Sequence, residues 1–283
     1  MGSHVRPQVL HEDEWWRLVQ RVDSPQGMIH VIEREEPGGL LRRRCLHGGL
    51  VQNTYDPLTR RSLSHYTGAL LGLARAYTSC VERALCIGLG AGLVPRELAR
   101  GGARVDVVEI NPAMAAVAAT HFDFDPKAVS LAIQDGREFL ASTSRQYDAV
   151  ILDAFMDGNI PPHLVTVESL RLAKSRLKPE GVLVINAFGE TSPAYREGAA
   201  RLDRTLRCAF ASAAVVQHAS GQGNVFFVAA RRVPLKPIRP PDFSAEHPDL
   251  RFGLMLMWQG VRPPDGREGP VSRDADSPRL LSD

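Results

Sequence analysis

The chain has 283 residues, 34 Lys and Arg against 32 Asp and Glu, a formal net charge of +2 and 44% apolar residues. That balance carries no electrostatic footprint for nucleic acid, and no apolar run reaches the length of a membrane span. Four scattered cysteines (Cys45, Cys80, Cys86, Cys208) form neither a CxxC nor a zinc-spaced Cys/His set, so free thiols are expected. What remains is a globular protein of about two domains. Its start, MGSHVRPQVL, lacks the apolar core of a signal peptide, and a cytoplasmic protein is expected.

The predicted elements begin with a small β unit. Gly27–Arg34 and Leu40–Leu46 are β-rich and flank Glu35-Glu36-Pro37-Gly38-Gly39, a hairpin signal, and Leu50–Tyr55 adds a third strand. The basic run Arg42-Arg43-Arg44 reads as an exposed strand or turn, and Trp15 and Trp16 as packing anchors. In Ser62–Tyr77 the residues Leu63, Tyr66, Leu70, Leu73 and Tyr77 recur at helical spacing.

From Arg83 strands and helices alternate. Strands are expected at Ala84–Ile87, Val105–Glu109, Val129–Ile133, Tyr147–Asp153 and Val182–Asn186. Helices are expected at Val94–Arg100, Pro112–His121, Gly136–Ala141, Val167–Leu177 and Pro193–Phe210. Strands follow near Ala213–His218 and Asn224–Ala230 with no helix between them, so the last one should be antiparallel. The class is α/β, a mostly parallel sheet covered on both faces. Three parts follow: residues 1–66, an antiparallel β domain; 67–233, a Rossmann-like domain; and 234–283, a proline-rich extension. Within that extension Phe252–Trp258 packs back on the body, and disorder is expected from Arg262.

In a doubly wound sheet, ligands bind beyond the carboxyl ends of the strands. Those ends carry Gly88-Leu89-Gly90-Ala91-Gly92, then Glu109, then Asp135 with Gly136, then Asp153. Glycines let backbone approach a ligand closely, and a strand-end acid can accept hydrogen bonds from ribose hydroxyls. Four such features in one register point to a nucleoside site. Position 93 is Leu, so the third glycine of a dinucleotide fingerprint is missing. The spacing GxGxG is the form of S-adenosyl-type transferases, which bind no pyrophosphate. The domain is therefore read as a class I methyltransferase-type sheet, with Glu109 on the ribose and Asp135 on the adenine amino group. A nicotinamide oxidoreductase is the distant second reading.

Four segments carry more than this pattern: ALCIGLGAGLVPRELA, VDVVEINPAMAAVAA, DGREFL and YDAVILDAFMDGNIPPHLVTVESL. Through them, the stretch from about Ser24 to Arg231 resembles the spermidine synthase (polyamine aminopropyltransferase) family, in its divergent spermidine-synthase-like branch. The resemblance implies transfer of an aminopropyl group from decarboxylated S-adenosylmethionine to a small-molecule amine, without a metal. Asp153 would be the base and amine holder. SPQGMIHV would bring Gln26 to the sulfur-bearing cosubstrate, and LHGGLVQNTYDP would bring Gln52 to the substrate. His65 and Tyr66 would line the substrate entrance, and the β domain would pair in a homodimer.

The sequence also departs from that family. An Asp inside the glycine loop is replaced by Ala91, and the family's Asp-Ser-Ser-Asp-Pro run reads Asp153-Ala154-Phe155-Met156-Asp157. The family's acids at these places bind the amino groups of a diamine and of the aminopropyl tail. Asp157 stays a candidate substrate acid, one residue late. Loss of the loop Asp removes repulsion against the carboxylate of S-adenosylmethionine. Methyl or aminocarboxypropyl transfer, or a non-catalytic nucleoside-binding relative, are therefore the alternatives. His163 fits packing or capping as well as catalysis, Thr166 is the expected cap of the next helix, and Asn186 could face the pocket.

Overall fold

The computed structural model describes residues 7–189, 192–220, 223–262 and 269–276. The N-terminal part forms a six-stranded antiparallel sheet in chain order: β1 (Gln8–His11), β2 (Glu14–Val22), β3 (Ile29–Glu35), β4 (Leu41–His47), β5 (Leu50–Asp56) and β6 (Arg61–Ser62). The sequence reading gave three of these strands. β1 is only four residues long, and a register shift between Leu18 and Gln20 breaks the alternation that would have marked β2. Trp16 is buried under the guanidinium groups of Arg34 and Arg44, 5.1 and 4.5 Å from its ring. Trp15 is 63% exposed and anchors no packing.

The helix α1 (His65–Tyr77) starts three residues later than expected, because Arg61 and Ser62 pair with Asp56 and Tyr55 as β6. Then come β7 (Arg83–Ile87), α2 (Leu93–Arg100), β8 (Arg104–Glu109), α3 (Pro112–His121), β9 (Ser130–Ile133), α4 (Gly136–Ser142) and β10 (Tyr147–Leu152). They are followed by α5 (Val167–Ser175), β11 (Leu177–Phe188), α6 (Pro193–Ala209), β12 (Val215–Ala219), β13 (Asn224–Ala230), α7 (Pro248–Gln259) and β14 (Val261–Arg262). The second sheet has the order β14-β12-β13-β11-β10-β7-β8-β9; the run from β11 to β9 is parallel and β13 is antiparallel to β11.

Alternate residues of a strand face opposite sides of its sheet. On β10, Ala149 and Ile151 join a core under α1, α2 and α7, while Val150 and Leu152 join one under α5 and α6. A third cluster welds the two sheets: Ile29, Val31, Cys45 and Tyr55 pack against Ala91, Leu93, Met114, Val117 and Phe122. Beneath it the buried Arg96 donates to Phe122 O at 3.1 Å and Arg60 O at 2.8 Å, with its guanidinium over the Tyr55 ring.

The short apolar piece near residue 252 is α7, which buries Leu250, Leu254 and Met257 against α1. The expected disorder beyond Arg262 does not hold for residues 269–276. Val167 donates its backbone N–H to Ser272 O at 2.9 Å, and Asp274 accepts from Thr166 Oγ1 at 2.8 Å and from the Arg137 guanidinium. Residues 263–268 and 277–283 lie outside the described residues. Among the described residues, no helix is long and apolar enough to cross a membrane.

Candidate active site

The strand order places β7 between β10 and β8, the point where the chain switches direction across the sheet and leaves a crevice at the carboxyl ends. The loop after β7 and the residue after β10 meet there. Gly88 has φ +91°, and a Cβ on it would lie 2.3 Å from the Asp153 carbonyl oxygen, so only glycine fits. Asp153 in turn donates its N–H to Ile87 O at 2.9 Å. The glycine loop and Asp153 are thus one fixed unit.

A cleft of about 340 Å³ opens above this unit, lined by Gln26, Gly88, Gly90, Glu109, Asp135, Gly136 and Asp153 among others. Glu109 sits at its floor, 9% exposed; Oε2 accepts from Leu89 N at 2.9 Å and Oε1 from Asn111 N at 2.8 Å. Burial raises its pKa and those backbone donors work against the rise. The carboxylate keeps acceptor capacity for a ribose hydroxyl. Asp135 caps α4, accepting from Arg137 N at 2.8 Å and Glu138 N at 3.1 Å, and its other oxygen meets His163 Nε2 at 2.7 Å. Desolvation opposes its ionisation, but the His163 contact and the helix N–H groups hold its carboxyl below the usual range. His163 therefore fixes Asp135 within the cleft wall. Gln26 presents a buried Oε1 that has no hydrogen-bond partner in the protein.

A second cleft of about 410 Å³ lies between the two sheets. Gln52, Gly90, Asp153 and Phe155 line both clefts, so Asp153 stands at their junction. Its carboxylate accepts from Asn186 Nδ2 at 2.9 Å, and Asn186 Oδ1 accepts from Asn224 Nδ2 at 2.9 Å. Desolvation pushes the Asp153 pKa up to about 6, with the Asn186 hydrogen bond opposing the rise. His65 and Tyr66 line this second cleft, the Tyr66 hydroxyl donating to Gln52 O at 2.5 Å.

Of the expected site residues, Gly92 stands outside both clefts, and Asp157 lines the first cleft and not the second. Gly92 is outside the cleft lining; its φ of +77° and the Phe124 side chain, 2.8 Å from a Cβ built there, explain the glycine structurally. Asp157 is exposed on the rim, in a turn closed by Met156 and Asn159, with φ +50°. Ala91 is 1% exposed and sealed in the apolar cluster between the sheets. Sequence reasoning missed His47, Asn111 and Met114 in the first cleft, and Phe188 and Asn224 in the second. Asn111 had a signal, the turn directly after Glu109; Asn224 lies on a distant strand and had none.

A family model for the spermine/spermidine synthase domain matches residues 63–230. The chain belongs to the spermine/spermidine synthase family. The fold agrees with that family: the spermidine synthase of Thermotoga maritima superimposes with a TM-score of 0.60 over 85% of this chain and 84% of that one, at 18% identity. The chain is 39% identical over 120 residues to a polyamine aminopropyltransferase of Vibrio vulnificus, 40% of either chain. It is 31% identical over 201 residues, 64% of its length, to an N-terminal histidine N-methyltransferase of Emericella nidulans. The matches span only 40% and 35% of those two relatives' own lengths. This spermidine synthase family member thus has both an aminopropyltransferase and a methyltransferase among its relatives.

Proposed function

We propose that the chain alkylates an amine from a sulfonium nucleoside, with Asp153 as amine holder and base. The observation that carries this reading is the position of one carboxylate at the junction of two clefts. One cleft fits the nucleoside: Glu109 has lone pairs for a ribose, Asp135 is fixed by His163, Gly88 and Gly90 bare their backbone, and Gln26 Oε1 lacks a partner. The other is open to an acceptor. A sulfonium carbon is already an activated electrophile, so the protein's task is alignment and proton removal. Asp153, ionised above about pH 6, binds the incoming ammonium and takes its proton. The freed nitrogen lone pair forms the new N–C bond, and the C–S electrons pass to sulfur, leaving a neutral thioether and an alkylated ammonium. Neither a metal nor a redox partner is required for the balance.

The transferred group on the first reading is aminopropyl, from decarboxylated S-adenosylmethionine. Methyl or aminocarboxypropyl transfer from S-adenosylmethionine is the second reading, favoured by Ala91: an apolar residue sealed between the sheets offers no anion to an aminopropyl tail. The resemblance to the Emericella nidulans methyltransferase supports the same side. Calorimetric titration with the carboxylated and decarboxylated cosubstrates and with methylthioadenosine separates the readings. Preference for the decarboxylated form by tenfold or more supports aminopropyl transfer, and the reverse order supports the second reading. Absence of binding by all three removes the transferase assignment.

A further inference from the structure

The charges along the acceptor cleft limit what can enter it. Among the described residues lining it, the acids are Glu12 and Asp153. Glu12 is already neutralised: its Oε2 accepts from Arg44 Nη1 at 2.6 Å, and Arg44 itself is pinned over the Trp16 ring. Only Asp153 is left for a cation. The remaining wall is apolar or carries amides, the hydroxyls of Ser64 and Tyr66 and the His65 imidazole, none of them an anion. Phe155 and Phe188 stand in the wall with ring centroids 5.0 Å apart, and Tyr195 backs Phe188 at 5.4 Å from outside the lining. Leu50 and Leu63 face the same space from the N-terminal sheet and the approach to α1.

An ammonium taken from water into a closed site needs an anion or several aligned acceptors, whereas an apolar body gains by leaving water. A linear diamine brings two ammonium groups and a thin methylene chain. The cleft answers the first with Asp153; the second meets either the Arg44 guanidinium, which repels it, or aromatic faces, whose attraction for a cation is weaker than that of a paired anion. A flat apolar body beside a single amine fills the aromatic wall and leaves no charge unpaired. We infer that the acceptor of this protein is a monoamine, one ammonium carried on an aromatic or otherwise apolar body, and not a diamine. The inference rests on the reading that the second cleft receives the acceptor.

The test uses the full chain. Methylthioadenosine binding is measured first, to establish that the nucleoside cleft is functional. Phenethylamine and 1,4-diaminobutane are then offered separately and in competition, with either sulfonium nucleoside as donor, and the alkylated products are measured by mass spectrometry. The expected result is a kcat/KM for phenethylamine at least tenfold above that for the diamine. Leu50→Asp, on a residue that is 44% exposed and therefore tolerant of change, places a second anion in the cleft. It is expected to shrink the preference at least fivefold while the thermal transition stays in place. Equal or better use of the diamine overturns the inference, as does an unchanged ratio in a folded Leu50→Asp protein. Binding of methylthioadenosine with no turnover of either amine also overturns it. Failure of methylthioadenosine to bind is the distinct result that removes the proposed function itself, and this inference with it.

Discussion

At the scale of single residues, the account turns on a carboxylate whose surroundings oppose its charge. Burial lifts the Asp153 pKa from the ordinary carboxylate value to about 6. The folded state therefore holds its proton more tightly than the unfolded chain. The stability tied to that proton is fully present below the unfolded pKa and is lost as pH rises through about 6. Asp153→Asn keeps an acceptor for Asn186 and carries no charge. It should be more stable than the parent by about 1–3 kcal/mol at pH 8, with the difference fading near pH 4. Urea unfolding at the two pH values checks this; a difference that does not depend on pH would contradict it. The same carboxylate should give kcat/KM an acidic limb near pH 6. The Asn186 hydrogen bond favours the charged form, so Asn186→Ala should move that limb to higher pH. A limb that stays in place, measured with the same donor and amine, would separate Asp153 from the rate.

At the scale of elements, the glycine loop and the end of β10 form one device. Gly88→Ala places a Cβ against the Asp153 carbonyl at a backbone angle that side chains avoid, which should cost about 2–5 kcal/mol. Gly90 has a positive φ but open space around it, so Gly90→Ala should cost only about 1 kcal/mol. Thermal melts of the pair test this contrast, and equal losses would contradict it. The loop, Glu109, Asp135 and Asp153 were legible in the sequence because each ends a strand whose apolar run is easy to read. The N-terminal strands β1 and β2 were not, since a bulge spoils the period of one and the other is too short to show any. Nor was the pairing of Asn224 with Asn186, which depends on β13 returning antiparallel beside β11. Asp157 shows the limit of motif reading: it keeps the acid type near the family's position, but the turn turns it to the rim.

At the scale of the whole molecule, the two sheets and the C-terminal segment are one assembly around the two clefts. The segment around Asp274 straps α4 to α5 through Arg137 and Thr166. Asp274→Ala removes a partly exposed pair and a hydroxyl acceptor, and should lower stability by about 1 kcal/mol, read by urea unfolding. No change would mean that the strap does not hold these helices together. Composition alone gave no sign of that strap, because residues 269–276 have no apolar period and dock through polar side chains, backbone and a single apolar residue, Val271. The fold class was nonetheless readable from the alternation of strands and helices, since a parallel sheet buries whole strands and leaves near-continuous apolar runs. The central claim is that Asp153 joins a nucleoside cleft to an amine cleft. Release of the thioether nucleoside from each sulfonium donor at pH 8, with and without amine, tests it most directly when the parent protein is set beside Asp153→Asn. The account expects amine-dependent release by the parent and at least a hundredfold less by the variant, about 3 kcal/mol of lost transition-state stabilisation. Equal release by the two proteins, or none from either donor with any amine, would contradict it.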